Sequence, residues 1–182
     1  MEQQKPVPAG TDWTDARIRD FSGSPAARIG DDWMLITCGN AAEQKGHWNT
    51  MTASWGGLGV LWGKPVAFMV IRPTRFTYAF ANENEQFTLS FFSSAYRRAL
   101  EVCGAKSGRD TDKAAAAGLT PIVFSGGSIA FLEAETVIIC RKLYTHDLDP
   151  RQFLDPALET HYPAKDYHRM FIGEVTGLKV KS

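Results

Sequence analysis

From Trp33 onward the apolar residues of this chain fall in short runs of strand length, separated by glycine, proline and polar clusters. Trp33–Thr37 and Gln86–Phe92 read as strands, the second rich in aromatic and β-branched residues. Thr50–Trp55 alternates in polarity and reads as another. Pro65–Ile71 holds a continuous apolar run, the pattern of a strand covered on both faces. Phe76–Phe80 fits helix or strand equally. Ser93–Val102 is rich in helix formers. Asp110 suits the N-cap of a second short helix ending at Ala117, with Gly118 as its stop. Pro121–Phe124, Ile129–Tyr144 and Met170–Val180 resume the strand pattern, with Gly173 and Gly177 as candidate bulges. Residues 1–30 form a polar lead-in, an arm or short helix that can pack through Trp13, Ile18 and Phe21. At least six strands, and helices that do not alternate with them, predict a mainly β protein: an antiparallel barrel with a short helical insertion, built as one domain over residues 31–182.

Composition narrows the partners. Twenty basic and twenty acidic residues cancel among 182, which argues against a protein that neutralises nucleic-acid backbones. The 44% apolar and 12% aromatic content is that of a folded chain. No apolar run reaches membrane-spanning length, and the first ten residues lack the apolar core of a signal peptide. Cys38, Cys103 and Cys140 are too widely spaced for a disulfide framework or a CxxC pair, and read as reduced thiols of a cytoplasmic protein. No histidine or cysteine spacing predicts a metal site. Gly57, Gly59 and Gly63 do not complete a nucleotide loop: Trp62 stands where a dinucleotide fingerprint needs glycine, and Pro65 where a Walker loop needs Ser or Thr. They read as a tight connection between strands.

Four segments carry candidate chemistry. Asn49, Thr50, Met51, Thr52, Ala53, Ser54 and Trp55 combine small polar side chains with an indole. Such a strand lets backbone N–H groups reach the nitrogens and carbonyls of a flat heteroaromatic ligand; it is equally the composition of an ordinary Thr-rich, half-exposed strand. Next, Arg72, Thr74, Arg75, Phe76 and Thr77 follow a buried strand directly, and Pro73 stiffens the turn. Guanidinium and hydroxyl donors in one loop suit a phosphate monoester, and also a solvated surface loop. Lys106 and Ser107 open a Gly-flanked basic loop that runs to Asp110. His168 precedes the last strand and is a candidate cleft residue or a cap.

In this order, Asn49-x-Met51-Thr52-x-Ser54-Trp55, Arg72-x-x-Arg75-x-Thr77, Lys106-Ser107-Gly108-Arg109-Asp110 and His168-x-x-Phe171-Ile172-Gly173-Glu174 resemble the flavin reductase-like family of FMN-binding split barrels, in particular its flavoredoxin branch. The resemblance spans about Asp31 to the end of the chain. It implies a Greek-key split β-barrel, a homodimer, and one non-covalent FMN per subunit. Asn49–Trp55 would then lie along the isoalloxazine and ribityl chain. Arg72, Arg75 and Thr77, with Phe76 between them, would hold the phosphate. Lys106 and Ser107 would approach the flavin, Lys106 favouring the reduced ring, and His168 would sit where a nicotinamide docks. The implied activity is transfer of electrons from NADH or NADPH through FMN to free flavin or a redox partner protein. A barrel that only holds FMN or another small ligand is the alternative. An oxidase of the pyridoxamine-phosphate type would need a second basic phosphate set, which is not identifiable here. Ser90 stands where many flavin reductases carry Asn.

Overall fold

The computed structural model describes residues 5–6, 12–39 and 47–181. In chain order the elements are β1 (Lys5–Pro6), β2 (Trp13–Ala16), α1 (Pro25–Gly30), β3 (Met34–Gly39), β4 (Trp48–Ala53), β5 (Gly56–Leu61), β6 (Lys64–Ile71), α2 (Thr77–Glu83), β7 (Gln86–Phe91), α3 (Arg97–Ala105), α4 (Lys113–Ala117), β8 (Pro121–Val123), β9 (Ile129–Phe131), β10 (Thr136–Asp147) and β11 (Arg169–Lys181). The main sheet has the order β4-β3-β7-β10-β11-β6-β5, with β2 added to β11. Its pairings are antiparallel throughout. β6 and β7 are consecutive strands in the chain, yet β10 and β11 lie between them, so the chain crosses over before the last two strands fill the gap. A second, three-stranded sheet has the order β1-β8-β9.

The continuous apolar runs have a direct cause. Met34, Ile36 and Cys38 of β3 point into a core with Met69, Ile71 and Phe171. Leu35, between them, points to the other side, where Leu100 of α3 and Ile122 of β8 form a second core. Successive side chains of a strand face opposite ways, so a strand between two cores is buried on both faces; the buried Thr37 of β3 is satisfied by donating its hydroxyl to that of Thr50 at 3.0 Å. β10 does the same, with Ile138 in one core and Val137 in the other.

Several expectations are corrected. The stretch holding Gly57 and Gly59 is a strand, β5, rather than a tight connection. A Cβ on Gly57 would overlap the Phe68 ring, so glycine is what lets that ring lie across the pair. The turn itself is Trp62-Gly63, both at positive φ (53° and 69°), as a two-residue hairpin requires. Phe76–Phe80 resolves as the start of a helix, with Phe76 as the N-cap of α2 and Thr77–Phe80 within it. The strand expected over Ile129–Tyr144 is two strands, because a turn at residues 132–135 carries the chain from the small sheet to the large one. The second helix starts at Lys113, capped by Asp112 through the Ala115 N–H at 3.0 Å, and not by Asp110. Gly118 ends it at φ 69°. Gly173 and Gly177 border the β10–β11 irregularities, but the unpaired residues are Leu143 and Thr176. The lead-in joins the sheet through β2, and Trp13 meets Phe124 edge-on at 5.5 Å. Residues 1–4 and 7–11 of the expected arm lie outside the described residues. Among the described residues no helix is long and apolar enough to cross a membrane.

Candidate functional site

Among the described residues β4 ends the main sheet, with β3 as its one strand partner, so the backbone groups of its outer edge face away from the ladder. α3 lies against that edge. The Thr52 hydroxyl donates to the Leu100 carbonyl, and Gly104 comes so near Thr52 that a Cβ on it would sit 3.4 Å from Thr52 Cβ. Where the two elements diverge, a cavity of about 460 Å³ opens. Met51, Thr52, Ala53, Ser54 and Trp55 form one wall, and Leu100, Glu101 and Gly104 of α3 form another. Val70, Arg72, Arg75, His168 and Trp33 complete it. Three of the four sequence-predicted segments therefore meet at one cavity, and the fourth borders it through Gly104.

The two arginines differ. Arg72 Nη1 donates to Asp166 Oδ1 at 2.6 Å and Nη2 to the His161 carbonyl at 2.7 Å, while its guanidinium lies 5.0 Å from the centre of the Tyr162 ring. It is committed to the segment leading into β11. Arg75 is half-buried and donates through Nη2 to the Gly104 carbonyl at 2.9 Å. Among the described residues no carboxylate lies within ion-pair distance of it. Burial, and then the nearby Arg72, pulls its pKa down from the ordinary value. A cavity-lining cation without an acidic partner is a receptor for an anion.

His168 is buried, with Nδ1 2.9 Å from the Tyr162 hydroxyl. Burial, followed by the charge of Arg72, pushes its pKa down to about 4, against the opposing pull of Asp166. It is a neutral imidazole at neutral pH. Its ring centre lies 5.0 Å from that of Trp55, which is 40% exposed at the cavity mouth and meets His161 edge-on from another side.

The other predicted residues do not line the cavity. Thr50 is buried in the strand pair, its hydroxyl donating to the Ile36 carbonyl at 3.0 Å. Asn49 donates to the Thr77 hydroxyl at 2.7 Å, and both are buried. Phe76 packs edge-on to Phe80 and beneath the Arg109 guanidinium. Lys106 is exposed. Ser107 accepts from the Arg109 N–H at 3.2 Å. Their loop is docked on β4 by Gly108, where a Cβ would overlap Asn49 Oδ1. Sequence reasoning missed Trp33, Val70, Leu100 and Glu101, whereas Gly104 is the first residue of the basic loop it expected near a ligand. Trp33 stands at φ 69°, unusual for a bulky residue, with the Arg97 guanidinium stacked on its indole. The positive φ and the stacking depend on tertiary contacts, and no local motif announces either.

A family model described as the flavin reductase like domain matches residues 27–182. The chain belongs to the flavin reductase-like family. No curated protein matches its sequence. Solved structures share the family's split-barrel fold. An FMN-binding domain of flavin reductase-like enzymes from Shewanella baltica superposes with a TM-score of 0.67 at 16% identity, over 94% of this chain and 78% of that one. Flavoredoxin of Desulfovibrio vulgaris gives 0.63 at 24% identity, over 89% and 78%. The NADH:FAD oxidoreductase of Streptomyces globisporus, solved with NAD and FAD fragments, gives 0.59 at 14%, over 82% and 74%. The mainly β split barrel implied by the sequence is thus the fold of this flavin reductase-like chain.

Proposed function

We propose that this flavin reductase-like protein binds FMN non-covalently and passes electrons from NADH or NADPH through it to free flavin or a redox partner protein. The carrying observation is Arg75, a cavity-lining cation with no carboxylate partner among the described residues, in a cavity one wall of which is a small, polar edge strand. That donor set fits the group: the edge of Thr52–Ser54 offers backbone and hydroxyl partners to a planar heterocycle, and Arg75 offers a guanidinium to its phosphate. When bound, FMN supplies the hydride-accepting chemistry. The chain's own residues bind, orient and shield it. Thr52, Ala53 and Ser54 present small side chains, so a ring can approach the strand closely. Trp55 and neutral His168 border the open mouth, where an uncharged imidazole gives a nicotinamide a flat surface without placing a cation beside it. Arg72 keeps the segment carrying Tyr162 and His168 in place. Lys106 and Ser107, two and three residues beyond Gly104, lie outside the cavity lining, beyond the carbonyl that Arg75 bonds.

The test is direct. The purified protein turns yellow with FMN and quenches its fluorescence at micromolar concentration, and anaerobic NADH or NADPH bleaches the bound flavin. His168→Ala keeps the bound spectrum but slows bleaching. Failure to bind FMN sinks the proposal. Binding without reduction by either nucleotide leaves a flavin-holding barrel rather than a reductase.

We also propose a homodimer. The β5–β6 hairpin leaves Val60 76% and Trp62 59% exposed, and Trp62 meets the half-exposed Tyr144 with ring centres 6.2 Å apart. Exposed aromatic residues of this kind are characteristic of subunit contacts. Light scattering at micromolar concentration checks it, with a dimer mass expected and Trp62→Ser shifting the population toward monomer. A wild-type monomer with FMN bound ends it.

A further inference from the structure

Lys113 opens α4, yet its side chain is buried, only 5% exposed. Its ammonium donates to the Cys103 carbonyl at 3.2 Å. The adjacent carbonyl, Gly104 O, accepts from Arg75. Two cations from distant segments thus converge on neighbouring carbonyls at the C-terminal end of α3. Those carbonyls compensate part of the charge. Among the described residues no carboxylate forms an ion pair with either.

Among the described residues the groups that interact electrostatically with Lys113 are Arg75 and Cys103, and neither is a carboxylate. From α3 it faces the thiol of Cys103, whose pKa burial pushes up to about 11, so the thiol is neutral. Glu101 of the same helix is exposed and lines the cavity. From the 106–112 segment, Lys106, Arg109 and Asp110 are exposed, and Asp112 is engaged as the cap of α4. Burial, and then the charge of Arg75, lowers the Lys113 pKa to about 8, with Cys103 opposing. A buried charge is costly until an opposite charge arrives, and Arg75 is the member of the pair that reaches the cavity.

We infer that Lys113, whose ammonium bonds the carbonyl next to the one Arg75 bonds, is a positioning residue whose proton is coupled to the phosphate dianion at Arg75. The inference rests on the flavin reading above and deepens it: Lys113 acts alongside Arg75 without touching the ligand. Below about pH 8 Lys113 is charged and its field favours the phosphate; above that it loses its proton and the support falls away. The dianion raises the Lys113 pKa in turn, so binding takes up a proton.

The experiment compares FMN with riboflavin on the wild-type protein from about pH 7 to about pH 9.5, by flavin fluorescence, with calorimetry in two buffers of different ionisation enthalpy. The FMN-to-riboflavin affinity ratio is expected to fall about tenfold across the range, with net proton uptake for FMN and none for riboflavin. Ionisation of the isoalloxazine is common to both ligands and cancels in the ratio. Lys113→Arg is expected to hold the ratio high and flat, because guanidinium does not titrate there. Lys113→Met is expected to leave it low and flat. A wild-type ratio independent of pH, or equal proton uptake for the two ligands, overturns the inference while leaving flavin binding intact. Failure of both ligands to bind overturns the flavin reading and this inference together. The wild-type measurements decide the matter even where a variant does not fold.

Discussion

Arg75→Met lowers FMN affinity about ten- to hundredfold and leaves riboflavin affinity nearly unchanged. A charge-assisted hydrogen bond contributes roughly 1.5–3 kcal/mol, and each ~1.4 kcal/mol is a factor of about ten in affinity. Arg75 is positioned for this effect by two features: it lines the cavity beside Gly104, and no acidic side chain among the described residues competes for its guanidinium. Arg72 supplies the control. Its guanidinium is already spent on Asp166 and the His161 carbonyl. Arg72→Met therefore loosens the segment that carries Tyr162 and His168, and weakens both flavins to a similar degree. Titration of each variant with both ligands separates the two roles. Equal loss of FMN and riboflavin on Arg75→Met would assign that residue to the scaffold through its bond to Gly104. An FMN-selective loss on Arg72→Met would mean that its bonds to Asp166 and His161 rearrange when ligand binds.

Phe91→Ala destabilises the fold by about 3–5 kcal/mol, the ordinary cost of deleting a fully buried phenyl ring. That is a large share of the roughly 5–15 kcal/mol that holds a domain of this size together. Phe91 is fully buried on β7, meets Phe21 edge-on at 5.4 Å and lies 5.6 Å beneath the Arg28 guanidinium. Its removal leaves a void between the central strands and the lead-in that carries α1, so urea denaturation shows a lower midpoint with an unchanged slope. Leu154→Ala is the reference: Leu154 is 100% exposed and its truncation leaves the midpoint where it was. A loss below about 1 kcal/mol for Phe91→Ala would mean that Phe21 and its neighbours collapse into the space, and that the lead-in is only loosely held to the barrel.

Most strands were legible because burial on two sides leaves a one-dimensional trace. β6, β7 and β11 lie within a residue or two of the apolar run Pro65–Ile71, the aromatic and β-branched stretch Gln86–Phe92 and the strand expected over Met170–Val180. β5 left no such trace. It is a glycine-rich edge strand, and its glycines answer to the Phe68 ring on the neighbouring strand rather than to a local turn. α2 was ambiguous because Phe76, Phe80 and Tyr78 are apolar at a spacing that suits either structure. The core contacts of Phe80 and Ala81 select the helix.

The same division runs through the candidate site. Sequence alone determined the order of the polar edge strand, the arginine loop, the basic loop and the terminal histidine, and with it the family, because residue types and their order are properties of the chain. It could not distribute charges among partners. Arg72 and Arg75 are equivalent in the sequence, and they part only when residues 161–166 fold back onto one and the end of α3 onto the other. In the sequence Lys113 is simply a lysine that precedes four alanines, with nothing to mark its environment. It becomes a buried cation only because α4 packs against α3 and turns its side chain toward the Cys103 carbonyl. Burial and electrostatic coupling depend on distances across the fold. The strands and the family were therefore written locally, while which arginine is tied to a carboxylate and which lysine is buried were decided by tertiary packing.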